Sequence, residues 1–420
     1  MEEGAYRLYV GVDWGSRRHQ VAIVEPGGRR VAEHSVEHSG DGLSQMVACL
    51  EAAAGGEPCN RIAVAIEVPR GAIVDTLLER GFHVYAINPK QLDRFRDRHC
   101  VSGAKDDRLD AFVLADSLRT DAPKFKRLQA EDPSIIELRS LVSIDAELSQ
   151  QIVRLMNRLR EQLWRYFPQV LKVAAADLDR LWVWKMLELV PTPEHAQRVR
   201  ARSLAKVLKE HRIRKHSARE LLQELRKEPL RLVPGAAEAA SSHVAFLLPQ
   251  LKLHAKQRRQ CQDRIASIIR QLQDTAPDVP EAEKGEHRDV EILLSVPGIG
   301  KLVAATMLAE ASQPLAQRDY HVLRAQAGVA PITRQSGKHR TVSMRRACKG
   351  RLRYAVFHWA RVNIQRDARS RAHYDQLRAR GASHGRALRQ VGDGLLKMLT
   401  VMLQTRTLYD PERRLTKEAA

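Results

Sequence analysis

Four carboxylates stand where a carboxylate needs a reason. Asp13 closes the apolar run Tyr9-Val-Gly-Val-Asp13 and is followed at once by Trp14-Gly15-Ser16. Aspartate is depleted in strands, and a carboxylate in low dielectric is costly unless a cation accompanies it. Glu67 comes near the end of a second apolar run, Arg61-Ile-Ala-Val-Ala-Ile-Glu-Val68. Asp107 and Asp110 lie three apart in Lys105-Asp-Asp-Arg-Leu-Asp-Ala111, which places them on one helix face about one turn apart. Brought together, the four would be too negative to stand without cations. All-oxygen donors suit hard ions, and the set can hold two magnesium ions about 3.5–4 Å apart, with manganese as a substitute. That arrangement activates a nucleophile and stabilises a leaving oxygen at phosphorus. Two of the four also have plainer readings: Asp110 as a helix-surface carboxylate, and Asp107 as a first-turn residue favoured by the helix dipole.

A second candidate lies far along the chain. Ser336-Gly337 falls in a stretch that reads as a polar loop, flanked by Arg334, Lys338, His339 and Arg340 and followed by Arg345 and Arg346. A serine hydroxyl is a weak nucleophile and needs a base or metal, while basic neighbours would hold a phosphate under attack. Taken alone, a Ser-Gly pair is more simply a turn. Pro297-Gly298-Ile299-Gly300 between two helical patterns reads as a helix–hairpin–helix turn. Its backbone N–H groups would meet a phosphate without reading bases, with Lys301 alongside.

The elements that must position these residues are readable from periodicity. Strands are expected over 7–13, 20–25, 30–37, 61–68 and 82–87, and helices over 40–54, from Pro69 through Glu79, over 91–98, and from the Lys105 segment through Leu118. Three antiparallel strands followed by alternating helices and strands form the layout of a ribonuclease-H-like α/β domain, expected over 1–125. From 126 to 285 the pattern is all-α. Leu148, Ile152, Leu155, Leu159 and Leu163 form a helical seam, and Leu247, Leu251, Ile265, Ile268, Ile269 and Leu272 form another. The two helices can pair as an antiparallel hairpin or dimerise as a coiled-coil arm. Their polar faces carry cations, among them Arg154 and Arg158. A basic helical insert is expected over 171–240, a linker over 275–288, and a C-terminal helical domain over 286–420.

The chain has 420 residues, 44% of them hydrophobic, enough for two or three cored domains. Lys and Arg number 70 against 50 Asp and Glu, a net charge of +20 and a pI near 10.1, which points to a polyanionic partner. No apolar run is long enough to span a bilayer and no secretory signal is evident, so a reducing cytoplasm is the expected setting. Five scattered cysteines support neither a zinc ribbon nor a disulfide framework.

In this order the motifs resemble the DEDD transposases of insertion-sequence family one-ten, bridge-RNA-guided serine recombinases. The resemblance is carried by the Gly-Val-Asp13 strand, the strand ending at Glu67, Lys105-x-Asp107-x-x-Asp110-Ala111, Val-Pro-Gly-Ile-Gly300, Gly328-Val-Ala-Pro331, Gln335-Ser336-Gly337 and Tyr374-Asp-Gln-Leu-Arg-x-Arg-Gly381 before an apolar helix over 387–403. It implies a RuvC-like N-terminal domain whose Asp13, Glu67, Asp107 and Asp110 bind magnesium. It implies a C-terminal domain whose Ser336 attacks DNA to form a phosphoserine intermediate. It also implies dimers or tetramers with a composite site, and a structured noncoding RNA that pairs with donor and target DNA. One departure follows Ser336, where the family's common Ile-Ser-Lys-x-Gly-Asn stretch is replaced by Val-Ser-Met-Arg-Arg-Ala-Cys-Lys-Gly350. Two other functions fit the residues: a RuvC-like two-metal nuclease that works by water attack, and a non-catalytic nucleic-acid-binding protein.

Overall fold

The computed structural model describes residues 6–96, 98, 106–274, 288–337 and 339–411. The chain divides into two units, Met1–Asp132 and Pro133–Ala420.

The first unit is built on one sheet. Its strands are β1 (Leu8–Asp13), β2 (Arg18–Val24), β3 (Arg30–Glu37), β4 (Ile62–Ile66), β5 (His83–Ala86) and β6 (Lys126–Arg127). They lie in the order β3-β2-β1-β4-β5-β6, with β1, β4 and β5 parallel and the other pairings antiparallel. Helices α1 (Gly40–Ala54), α2 (Ala72–Glu79), α3 (Pro89–Arg96) and α4 (Asp107–Asp121) complete it. β4 is buried along its whole length, as a central strand crossed on both faces must be. α1 starts where Ser39 accepts the Gly42 N–H at 3.1 Å and stops at Gly55.

The mixed α/β sheet agrees with the expected order of elements, with three differences. β4 ends at Ile66, so Glu67 stands just beyond the strand. α2 begins at Ala72, not at Pro69, because Pro69 and Arg70 are irregular and the helix is entered through Gly71 at φ +104°. The edge strand β6 was not expected: two consecutive basic residues carry no hydrophobic period, yet Lys126 and Arg127 pair with Ala86 and Tyr85. The unit therefore runs to Asp132, past residue 125.

The second unit is helical. α5 (Pro133–Tyr166) and α11 (Ala236–Asp274) are its long members. They run antiparallel, since Glu137 meets Arg264 at 2.6 Å, Leu141 O meets Cys261 at 3.1 Å and Asp145 meets Arg258 at 3.0 Å. The far end of this pair shares a core with α6 (Pro168–Ala174), α7 (Leu181–Leu189), α8 (Pro193–Arg198), α9 (Ala201–Glu210) and α10 (Ala218–Leu225), centred on Trp182, Trp184, Tyr166 and Phe167. The near end shares another with α12 (Asp289–Ser295), α13 (Lys301–Ala316), α14 (Tyr320–Gln326), α15 (Gly350–Arg366), α16 (Ala368–Ala379) and α17 (His384–Gln404). Between α14 and α15 runs a two-stranded ribbon, β7 (Ile332–Ser336) and β8 (His339–Ser343). The expected linker over 275–288 lies, but for Arg288, outside the described residues.

α13 bends at a proline. Pro314 has no N–H to give Glu310, and Ala311 leaves helical geometry at φ −123°. Lys349 Nζ donates to the freed Glu310 carbonyl, and Arg139 donates twice to Ala309 O, at 3.0 and 2.9 Å. The bend thus ties α13 both to α5 and to the start of α15. No helix among the described residues is long and apolar enough to cross a membrane.

The tightest packing in the first unit is at Gly11. A Cβ there would stand 1.9 Å from Ala111 O and 2.6 Å from Ala115 N, so α4 lies directly on the β1 backbone. Gly11→Ala is expected to destabilise the protein by about 3 kcal/mol. Denaturant unfolding measures this, and an unchanged midpoint would contradict the contact.

Candidate active site

Strand register brings the first two carboxylates together. Val12 pairs with Ile66 across the parallel β1–β4 ladder. One residue further, Asp13 and Glu67 leave the carboxyl ends of adjacent strands, both half-buried. α4 supplies the other two. Its C-terminal Arg119 reaches Pro26 O at 3.4 Å and lies beside Gly28, in the turn between β2 and β3. That turn follows Val24, which pairs with Tyr9 near the start of β1. α4 therefore runs opposite to β1, and its first turn, with Asp107 and Asp110, points toward the Asp13 end of the sheet.

The two helix carboxylates differ. Asp107 is exposed, while Asp110 is 3% exposed. A buried carboxylate needs a cation or donors. Asp110 has Arg96, whose Nε donates to Oδ1 at 2.6 Å while Nη1 reaches Asp93 at 3.0 Å. Carboxylates hold Arg96 above its ordinary pKa, against the opposing effect of burial. Among the described residues no three His, Cys, Asp or Glu side chains converge tightly enough to hold an ion. The all-oxygen donor set has the chemistry for a hard divalent cation, and the backbone places its members at one end of the sheet. Arg96 supplies positive charge to Asp110. Reading the 91–98 stretch as merely basic misses this role, because nothing local in the sequence joins Arg96 to Asp110.

A histidine pair braces the loop after Asp13. His19 on β2 is fully buried. Its Nδ1 accepts the Gly15 N–H at 3.2 Å, so the ring hydrogen sits on Nε2, which donates to His38 Nδ1 at 2.9 Å. Burial, and then His38, hold the His19 pKa below its usual value.

In the second unit Ser336 is the last residue of β7, not part of a loop. It pairs with His339 across the turn that begins at Gly337, whose φ of +55° suits a tight hairpin. The sequence hides this ribbon because Thr333, Gln335, Arg340 and Thr341 offer no apolar face; both strands are exposed from Thr333 on. Arg334 faces Thr341 and Gln335 faces Arg340 across the ladder. Lys338 lies outside the described residues. Among the described residues, hydrogen bonds hold the ribbon to the rest of the unit at its base. There Lys349 N–H donates to Gln326 O at 2.9 Å, and Arg353 Nη2 donates to Arg345 O at 3.1 Å and Arg346 O at 3.0 Å. A Cβ on Gly328 would stand 2.9 Å from Cys348 Sγ and 3.0 Å from Arg353 Nε. Gly328 and Arg353 thus close the two ends of the excursion against each other.

The other basic candidates sit in different settings. Gly298 has φ +92°, and a Cβ would press on Trp359 and on Asn363 N at 3.2–3.3 Å. Trp359 Nε1 and Asn363 Nδ2 donate to Pro297 O at 3.2 and 2.9 Å. Packing therefore accounts for Gly298. Gly300 and Lys301 are exposed at the start of α13, Arg154 and Arg158 on α5, and Arg346 after β8. Arg345 is half-buried.

Both halves of the chain are transposase halves. A family model described as Transposase, of the IS110 DEDD type, matches residues 10–168, and one described as Transposase IS116/IS110/IS902 family matches 290–375. The mini-circle protein of IS117 from Streptomyces coelicolor, named as a transposase, is 32% identical over 424 aligned residues, 98% of each chain. The 43.6 kDa protein of insertion element IS110 from the same organism is 26% identical over 96% of this chain and 95% of its own. A Sinorhizobium fredii protein, also named as a transposase, is 50% identical over 210 residues, 50% of this chain and 58% of that protein. The chain belongs to the IS110 family of DEDD transposases, enzymes that act on DNA.

Two measurements follow from this geometry. Neutral His19 contributes stability that is complete above its unfolded pKa of about 6.5 and is lost as pH falls toward its lower folded value. Hydrogen exchange at Gly15 should quicken as pH drops below that point, after correction for intrinsic rates, and the pH dependence should vanish in His19→Gln. Arg353→Ala removes two bonds at the ribbon's base. Tryptic nicking within 334–346 should rise about tenfold while the thermal midpoint moves little; an unchanged nicking rate would refute the clamp.

Proposed function

We propose that this chain is a magnesium-dependent DNA recombinase of its insertion element, in which Ser336 is the nucleophile and a structured RNA guides the choice of DNA. The observation that carries the reading is the register that sets Asp13 and Glu67 side by side at the carboxyl ends of two parallel strands, with the first turn of α4 at the same end of the sheet. We assign the first unit as RuvC-like on that basis. Asp13, Glu67, Asp107 and Asp110 would hold the ions. Bound there, magnesium or manganese would stabilise charge on the phosphoryl oxygens.

Ser336 Oγ attacks phosphorus, giving up its proton as the serine–phosphate ester forms, and the displaced DNA oxygen leaves as a hydroxyl. A DNA hydroxyl later attacks that ester, restoring the phosphodiester and the serine. Ser336 stands on an exposed ribbon, and its hydroxyl has no hydrogen-bond partner within the described residues. Activation therefore comes from groups that meet the ribbon, in keeping with a composite site between protomers of a dimer or tetramer. The ribbon's Arg334 and Arg340, with Arg345, Arg346 and Lys338, would hold the DNA phosphates. The α5–α11 pair serves as a coiled-coil arm, and 297–300 as a helix–hairpin–helix turn in which Gly300 and Lys301 face the backbone. Pairing with a guide RNA would leave the protein to read backbone and shape.

The competing reading is a two-metal nuclease that uses water and leaves no adduct. A denaturing gel separates the two, run with magnesium, labelled junction DNA and RNA from the element's flank. Wild type should give a slow-migrating covalent adduct. Ser336→Ala and Asp13→Ala should each lower it by on the order of 10⁴-fold or more, and chelation should abolish it. Cleavage without adduct that survives Ser336→Ala would establish the nuclease instead.

A further inference from the structure

The α6–α10 bundle has a concave face that the reading above leaves unused. α9 ends in a Schellman turn, in which Ile213 N–H donates to Leu208 O at 2.8 Å and Arg212 N–H to Lys209 O at 3.1 Å. The residue at the turn is Arg212, with φ +55°. Glycine is the usual occupant of that left-handed position, which disfavours any residue with a Cβ.

The turn borders a cleft of about 440 Å³ between the end of α9 and the start of α10, where Ser217 caps α10. Leu208 and Ile213 form its apolar lining, and Lys209, Arg212, Arg214 and His216 surround them. The charges are set apart from their neighbours. Lys206 lies 4.0 Å from Glu210 and Lys215 lies 2.5 Å from Asp177, whereas the side chains of Lys209, Arg212 and Arg214 have no carboxylate partner among the described residues. His216 is anchored against the buried Trp182, with ring centroids 5.5 Å apart. A small open cavity with an apolar lining and three unpaired cations suits a ligand that is flat and apolar at one end and anionic at the other.

We propose that this cleft takes one unstacked nucleotide of a nucleic-acid chain, its phosphate on Lys209, Arg212 and Arg214 and its base against Leu208 and Ile213. The inference rests on the reading that the chain acts on nucleic acid, and is independent of Ser336 and the carboxylates. A paired duplex keeps its bases stacked, so the ligand is single-stranded or looped.

The test uses the full chain and labelled single-stranded DNA, an RNA hairpin with an unpaired loop, and blunt duplex DNA, with binding followed by anisotropy across a salt series. One variant carries Lys209→Gln, Arg212→Gly and Arg214→Gln. A second, of equal charge change, carries Lys206→Gln, Lys215→Gln and Arg231→Gln. Thermal melts establish that both fold. The cleft variant should lose about tenfold or more in affinity for the single-stranded or looped probe, with a salt slope shallower by about 0.7 for the one phosphate released, and the second variant should lose much less. Whichever of the DNA strand and the RNA loop shows the larger loss is the source of the nucleotide. Photocrosslinking of a halogenated base in that probe should label 208–218 in wild type and not in the cleft variant. Equal losses in the two variants, or a loss as large on duplex DNA, would reduce the cleft to bulk charge and overturn the proposal. Failure of the wild type to bind any probe would overturn the nucleic-acid reading itself.

Discussion

The first unit depends on a helix lying backbone to backbone on a strand. α4 reaches β1 at Gly11 with no side chain between them, which a residue bearing a Cβ would prevent. That contact fixes α4's height and direction at once. From it follow the burial of Asp110, the position of the helix's first turn at the Asp13 end of the sheet, and the access of Arg96 to Asp110. The carboxylates owe their common end of the sheet to a packing distance, before any chemistry among them.

The second unit solves a different problem. It carries an exposed ribbon on a helical core. α13 surrenders a helical bond at Pro314, and the freed Glu310 carbonyl is taken by Lys349 while Arg139 donates to the neighbouring Ala309 O. Arg351 joins Glu310 at the same place. These bonds anchor the segment 349–351, and Arg353 on the same helix anchors the ribbon's exit. The ribbon is therefore rooted in the packed core through its base alone, while its tip touches nothing described.

What was legible in the sequence was periodic. β4 reads as a continuous apolar run and is buried throughout; the leucine seams of α5 and α11 read as helices and pack antiparallel. The spacing of Asp107 and Asp110 on one helix was also readable, as was the α/β order of the first unit. Three things were not. β6 is two basic residues recruited by an edge, and β7–β8 is a ribbon of polar side chains, so neither leaves a hydrophobic pattern. Arg96 and His19 act through partners brought by the fold, at separations of 14 and 19 residues, which no local window joins. Gly298 carries a packing constraint that local sequence does not reveal, since the space a Cβ would take there is filled by Trp359, 61 residues along the chain.

The exposed ribbon has a consequence for how this protein tolerates change. Its strand residues Thr333–Ser336 and His339–Ser343 bury no core, so replacing them alters folding free energy by only about 0.5 kcal/mol either way. Selection for solubility or heat resistance is blind to that tip. Variation can accumulate there freely until a reaction filters it, and a library aimed at those positions would return folded proteins almost throughout.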